Sequence, residues 1–328
     1  MDYRPLGNTG VKVSELCLGT AFRAQDDEQV CIEVIHRAID LGCNFLDSAL
    51  YGNGLAEEVV GKALSTRRHD VFLCTKIFGT RFPAPNSVGL TRLNLIRGVD
   101  DSLKRLQTDY IDLYLLHTFD ENTPLEETVS ALDDLIKSGK LRYIGCSNFR
   151  AWKIMEALWI SDRRHLNRFI CIQNQYNLLN RLELEPDLMP LCREQGIGIM
   201  TYSPLAIGLL TGKFRRGQGA PKGNNPWNKD EEGRGFSAHK YDLETAMTER
   251  VDSIVATLVE IARRHDRTPG QVAIAWILDH PEITAPILGA DLPEHVDEAF
   301  AAAEWKLPAE ERAALDQVSE VQLPDKWA

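Results

Sequence analysis

Eight short apolar runs recur along the chain, at 15–18, 44–46, 71–75, 111–116, 143–146, 169–172, 198–201 and 283–288. Most lack the polar alternation of a strand with one wet face, as expected of parallel strands covered on both sides. Helix signals fill the intervals. Thr123-Pro-Leu-Glu126 reads as a capping box with proline at the first helical position, and Gly139 stops the helix it opens. Thr268-Pro-Gly-Gln271 repeats the start signal. Val30, Val34, Ala38 and Leu41 form one apolar stripe ending at Gly42; Leu95, Val99, Leu103 and Leu106 form another. Eight strands alternating with helices predict a TIM (β/α)8 barrel in which residues 1–328 form a single domain; a doubly wound open sheet is the alternative. One stretch breaks the rhythm. Residues 211–243 are polar and glycine-rich, with Lys213, Arg215, Arg216 and Lys222 but also Trp227 and Phe236. A loop of that length carrying aromatics reads as a lid over a site.

Composition removes several classes of function. Against 37 Lys and Arg stand 48 Asp and Glu, a net charge of -11. Nucleic acid and anionic membrane, which call for basic surfaces, are therefore not expected partners. No apolar run is long enough to span a bilayer, and MDYRPLGNTG is no secretory signal. The seven cysteines are odd in number and form no CxxC, so a cytoplasmic, disulfide-free protein without a zinc site is expected. GxGxxG, GxxxxGK[ST], HExxH and GxSxG are all missing.

Chemistry in such a barrel belongs where strands end at the C-terminal face. Following each run to its end gives Asp47, Lys76, His117, Ser147, Asn148, Gln173 and Tyr202, with Tyr51 in the loop after Asp47. Each has an ordinary reading when taken singly: Asp47 in a turn, Lys76 as a solvated charge, His117 as a core histidine, and the tyrosines as packing. Together they suit carbonyl reduction. Hydride addition to a carbonyl leaves an alkoxide that needs a proton. Tyrosine can donate it, and its usual pKa of about 10 is brought down by a nearby lysine cation that an aspartate keeps charged. Histidine can orient the carbonyl oxygen. The hydride has to come from a nicotinamide, because no side chain supplies one.

Six stretches in order carry a resemblance over nearly the whole length: LGNTGVKVSELCLG (6–19), FLDSALYG (45–52), DSLKRLQTDYIDLYLLH (101–117), GKLRYIGCSNF (139–149), QNQYNLL (173–179), and YSPL (202–205) running on to Gly212-Lys213. The chain resembles the aldo-keto reductase family. The resemblance implies a (β/α)8 barrel, NAD(P)H-dependent interconversion of a small carbonyl compound and its alcohol, and a catalytic tetrad of Asp47, Tyr51, Lys76 and His117. It further implies that Ser147, Asn148 and Gln173 hold the nicotinamide carboxamide and that Tyr202 stacks on the ring. Ser203, Leu205, Gly208 and Lys213 would lie along the pyrophosphate, with Gly289 and Asp291 near the adenosine ribose. Phe22, Arg23 and Trp227 are the candidate substrate contacts, an aldehyde, ketone or sugar derivative being the expected class.

The sequence departs from the family pattern in two places. Three residues separate Asp47 from Tyr51, where the family usually has four. Asp291 stands where a basic or small polar side chain commonly meets the 2'-phosphate. An acid there disfavours that phosphate and suits a free hydroxyl. NADP(H) is the expected cofactor on family grounds and NAD(H) the alternative. Asp291 as a helix cap is an equally ordinary reading. A cofactor-binding regulatory subunit, as in the potassium-channel beta subunits of this fold, is the alternative to an enzyme. Oligomeric state is not written in the sequence.

Overall fold

The computed structural model describes residues 1–22, 25–79, 84–217 and 243–321. Arg23, Trp227 and Phe236, with most of the expected lid segment, lie outside them. The chain opens on an antiparallel hairpin, β1 (Tyr3–Pro5) with β2 (Lys12–Ser14). Eight parallel strands then follow: β3 (Cys17–Gly19), β4 (Phe45–Asp47), β5 (Phe72–Ile77), β6 (Ile111–Leu116), β7 (Leu141–Ser147), β8 (Phe169–Gln175), β9 (Gly198–Tyr202) and β10 (Ile283–Gly289). They pair in chain order, and β10 closes back on β3, making the barrel that the alternation predicts. Each apolar run is one strand. Only the hairpin escapes the sequence reading, since its three-residue strands are too short to show a period.

Around the strands stand α1 (Glu28–Asp40), α2 (Leu55–Ala63), α3 (Arg92–Leu106), α4 (Leu125–Lys137), α5 (Ala151–Arg164) and α6 (Leu188–Gln195). After β9 come α7 (Leu243–Ala246), α8 (Glu249–Arg264) and α9 (Pro269–Leu278), and after β10 come α10 (Pro293–Phe300) and α11 (Ala309–Val318). The capping box of α9 forms as read, Thr268 and Gln271 each bonding the other's backbone. The one expected at α4 does not. Pro124 sits at its N-cap, and the Thr123 hydroxyl instead donates to Asp120 Oδ2 at 2.6 Å. Asp120 also accepts the Leu90 and Asn122 N–H groups. A carboxylate that gathers two backbone donors is a stronger partner for a hydroxyl than one helix N–H.

Alternation along the strands sorts side chains into two layers. Cys17, Phe45, Cys74, Leu113, Leu115, Cys171, Met200, Ala285 and Ile287 fill the barrel, and Leu6 and Val13 of the hairpin join them as a plug. Their neighbours Leu16, Leu18, Leu46, Leu73, Tyr114, Leu116 and Ile172 pack outward under the helices.

Helix α2, which follows the Tyr51 loop, lies so close to α3 that only glycine fits between them. A Cβ on Gly61 would come within 2.5 Å of the Arg105 carbonyl oxygen and 2.8 Å of the Leu106 carbonyl carbon. Glycine to alanine in a helix interior ordinarily stabilises by about 1 kcal/mol. Here Gly61→Ala is expected to destabilise by about 1–3 kcal/mol because backbone cannot yield cheaply. Urea unfolding measures the sign, and a more stable variant contradicts the packing described.

Candidate active site

The layer above the barrel filling is polar. Asp47, Lys76, His117, Gln173 and Tyr202 each stand two residues beyond an interior apolar residue, namely Phe45, Cys74, Leu115, Cys171 and Met200. Alternation therefore points all five side chains inward at the C-terminal mouth. The mouth residues were sought at strand ends, but several lie within the ladder: β5 runs through Lys76 to Ile77, and β8 through Gln173 to Gln175.

Lys76 is not a solvated charge. Its ammonium is buried and donates to Asp47 Oδ1 at 2.6 Å, Asp47 Oδ2 at 2.7 Å and the Ser48 carbonyl at 2.8 Å. An ammonium has three N–H donors, and all three are engaged. Burial works against the charge, but Asp47 outweighs it and holds the lysine above its ordinary range. Gln173 Nε2 adds a further bond to Asp47 Oδ1 at 2.9 Å. The Gln173 amide nitrogen thus braces the ion pair.

Tyr51 opens a tight turn after β4, and its ring centroid is 5.7 Å from Lys76 Nζ. The His117 ring meets it edge-on, with centroids 6.2 Å apart and planes at 86°. All four tetrad candidates therefore converge despite the short Asp47–Tyr51 segment. Burial, then the Lys76 charge, pushes the His117 imidazolium down to about 4, so the ring is neutral at physiological pH. A neutral imidazole can donate from one nitrogen.

Of the residues expected to hold a dinucleotide, Ser147, Asn148, Gln173 and Tyr202 meet at this mouth. Ser147 is buried, its hydroxyl donating to the Gln173 carbonyl at 2.6 Å across paired strands. Asn148 is exposed in the left-handed region (φ 60°), which asparagine tolerates. Its Nδ2 donates to the His117 carbonyl at 2.9 Å, and its Oδ1 accepts from the Tyr202 hydroxyl at 2.9 Å. Beyond β9 the chain winds through left-handed Ser203, Ala206, Ile207 and Gly208. The Gly208 N–H there is already given to the Leu205 carbonyl at 2.9 Å. Lys213 is exposed, followed by half-buried Arg215 and by exposed Arg216, which pairs with Glu249 at 3.5 Å. Gly289 is exposed, and a Cβ there would meet nothing within 4 Å. Asp291 is half-buried and its carbonyl accepts from Gln25. It is not the cap of α10, whose N-cap residue is Leu292. Phe22 is half-buried with a left-handed φ of 43°. The Tyr202 ring and the exposed Asn148 amide beside it fit a nicotinamide ring and its carboxamide.

Sequence reasoning missed three contributors: the Ser48 carbonyl on Lys76, Gln173 as a partner of Asp47, and the buried Glu57–Arg105 pair below the Tyr51 turn. Glu57 did leave a signal, an acid three residues before Val60 on an otherwise apolar stripe. Among the described residues no group of three or more His, Cys, Asp and Glu could hold a metal ion, and no helix is long and apolar enough to cross a membrane.

The closed eight-stranded parallel barrel is the architecture of the aldo-keto reductases, and comparison with known proteins agrees. The Aldo/keto reductase family model matches residues 15–320, and the chain belongs to that family. It is 36% identical to a probable voltage-gated potassium channel subunit beta of Arabidopsis thaliana, over 98% of this chain and 96% of that one. It is 34% identical to an uncharacterised oxidoreductase of Bacillus subtilis, over 97% and 96%. It is 33% identical to versiconal hemiacetal acetate reductase of Aspergillus parasiticus, again over 97% and 96%.

The His117 environment predicts a pH dependence of stability. A free imidazole titrates near pH 6.5, whereas in the fold the proton is taken up only at about 4. Between those values the unfolded chain binds more protons, so stability falls as pH drops from about 6.5 to about 4. His117→Gln removes this contribution. Urea unfolding across that window should give a shallower slope for the variant; equal slopes contradict the placement of His117.

Proposed function

We propose that this chain is an NAD(P)H-dependent reductase, one barrel domain acting in the cytoplasm, that interconverts a small aldehyde or ketone and its alcohol. The observation that carries the reading is the convergence of Tyr51, Lys76, Asp47 and His117 at one mouth, the phenol ring 5.7 Å from a buried ammonium. The bound nicotinamide would supply the hydride. Asn148 and Tyr202, already bonded to each other, are the residues we assign to its carboxamide and ring face, with Ser147 and Gln173 behind them. Ser203, Leu205, Gly208 and Lys213 are assigned to the pyrophosphate side, with the cationic side chain rather than the Gly208 N–H making the contact. Phe22 is assigned to the substrate side of the mouth, with Arg23 and Trp227 as further candidates.

On this reading His117, neutral and beside the phenol, donates to the carbonyl oxygen and fixes its direction. Tyr51 delivers the proton as negative charge develops on that oxygen. Lys76 favours the resulting phenolate by its charge, and Asp47 keeps the lysine ionised and still. NADP(H) is the cofactor we assign and NAD(H) the alternative; Asp291 is the residue at which the two would be told apart.

A regulatory, cofactor-binding role is the second reading. What favours it is that every Lys76 N–H is spent on Asp47 and Ser48, leaving none for the Tyr51 hydroxyl. The name of the Arabidopsis relative points the same way.

Turnover separates the two. With a panel of aldehydes, ketones and sugars and either dinucleotide, nicotinamide absorbance should fall in the wild type. Tyr51→Phe should lower kcat by about 10²–10⁴-fold, the contribution of a positioned acid, with dinucleotide affinity unchanged. Binding without turnover in the wild type would instead favour the regulatory role. Asp291→Arg should tighten NADPH binding by about tenfold, as one charge-assisted hydrogen bond would. Equal affinities before and after remove Asp291 from the ribose site.

A further inference from the structure

The turn that carries Tyr51 is left-handed for three residues in succession: Gly52 (φ 56°), Asn53 (φ 57°) and Gly54 (φ 98°). Leu50, at its start, provides no side-chain cap. Its shape therefore depends on what lies beneath it, and beneath it lies Arg105. A Cβ on Gly54 would stand 2.8 Å from Arg105 Cδ and 3.1 Å from its Nε. Glycine at that position lets the turn settle directly on the guanidinium stem.

Arg105 is itself fixed. Its Nε and one terminal nitrogen both lie 2.7 Å from Glu57 Oε2, and the other contact of its guanidinium is Ser102 Oγ at 3.3 Å. The Glu57 side chain is wholly buried in the first turn of α2. Its other oxygen accepts from Thr75 Oγ1 at 2.6 Å, and Thr75 immediately precedes Lys76 on β5. The chain of contacts thus runs from the Tyr51 turn through Arg105, Glu57 and Thr75 to the strand that carries the ammonium. Thr75 points outward to α2 and Lys76 inward to Asp47, so one strand segment is clamped on both faces. An apolar pair of similar size would commonly be at least as stable in such a place. What the ion pair adds is direction, because the guanidinium fork and the carboxylate meet in one geometry.

We infer that Glu57 and Arg105 are positioning residues that set where Tyr51 stands over Lys76, holding in register a phenol whose tether to Asp47 is short. The inference rests on the reading of Tyr51 as the proton donor. The test compares wild type, Tyr51→Phe, Glu57→Gln/Arg105→Met and Arg105→Lys, all with saturating dinucleotide and a carbonyl substrate turned over by the wild type. The double variant removes both charges together, so neither is left buried alone. Its kcat should fall by about a hundred-fold, the cost of a displacement near 1 Å, with dinucleotide Kd and carbonyl KM little changed. Arg105→Lys, which keeps a charge for Glu57 but not the fork, should lower kcat by about tenfold, between wild type and the double variant.

A pair that merely stabilises the fold gives another pattern: a lower melting temperature with kcat, KM and dinucleotide Kd of the folded enzyme all unchanged. That pattern overturns the inference. If the double variant does not fold, Arg105→Lys alone decides, and wild-type kcat in that variant overturns it. A wild type that reduces no carbonyl overturns the reductase reading and this inference with it. An active wild type, an inactive Tyr51→Phe and an unaffected double variant overturn the positioning role alone.

Discussion

The mouth of the barrel is organised by one buried ion pair. Burying an ammonium and a carboxylate costs several kcal/mol for each, which direct contact and full hydrogen bonding must offset. Lys76 meets that demand with three acceptors, and Asp47 with Lys76 and the Gln173 amide. One layer lower, the same two strands place Phe45 and Cys74, which need no such arrangement. The other side chains of the mouth take their character from this pair. His117 is held neutral partly by the Lys76 charge, Gln173 is aimed by Asp47, and the Tyr51 ring faces the ammonium.

The barrel was legible because strands buried on both faces leave unbroken apolar runs, and these mark the strand positions even where the ends are wrong. The mouth was legible for a related reason. A polar residue that ends an apolar run keeps the alternation of the strand, so Asp47 follows Phe45, and Lys76 follows Cys74, onto the inner face. What the pattern does not contain is the identity of partners. Lys76 reads equally as a surface charge until Asp47 is seen 2.6 Å away on the neighbouring strand. Thr123 reads as a cap until Asp120 is seen to claim its hydroxyl. Glu57 and Arg105 lie 48 positions apart on two helices, and no local rule says which faces of α2 and α3 meet.

The short segment between Asp47 and Tyr51 has a visible structural consequence. Its backbone bends so that the Ser48 carbonyl takes the third Lys76 proton. The phenol is then delivered by a turn containing two glycines and an asparagine, all left-handed, where bulkier residues would be strained. With only three residues between Asp47 and Tyr51, the ring still stands over the Lys76 ammonium, its centroid 5.7 Å from Nζ. With its protons committed to Asp47 and Ser48, Lys76 reaches the phenol through charge rather than through a hydrogen bond. Charge acts over several ångströms in a site with little water and tolerates small changes of angle, so the arrangement remains compatible with proton transfer.

A fold that hosts both reductases and channel subunits cannot by itself say which this chain is, so the argument has to come from the site. A barrel that only binds a dinucleotide requires a ring platform, an amide and cations, which the ends of β7 and β9 and the segment through Lys213 can offer. It has no physical need for an ammonium and a carboxylate in a dry layer beneath a phenol, with a neutral imidazole edge-on to that ring. Stability gives little reason for the pair either, since apolar residues fill the neighbouring layer without unsatisfied charge. On the reading proposed above, the role these groups share is to stabilise charge that appears on a substrate oxygen and to deliver a proton to it. That shared requirement is why the enzymatic reading ranks above the regulatory one, although both would place a dinucleotide across the same strand ends.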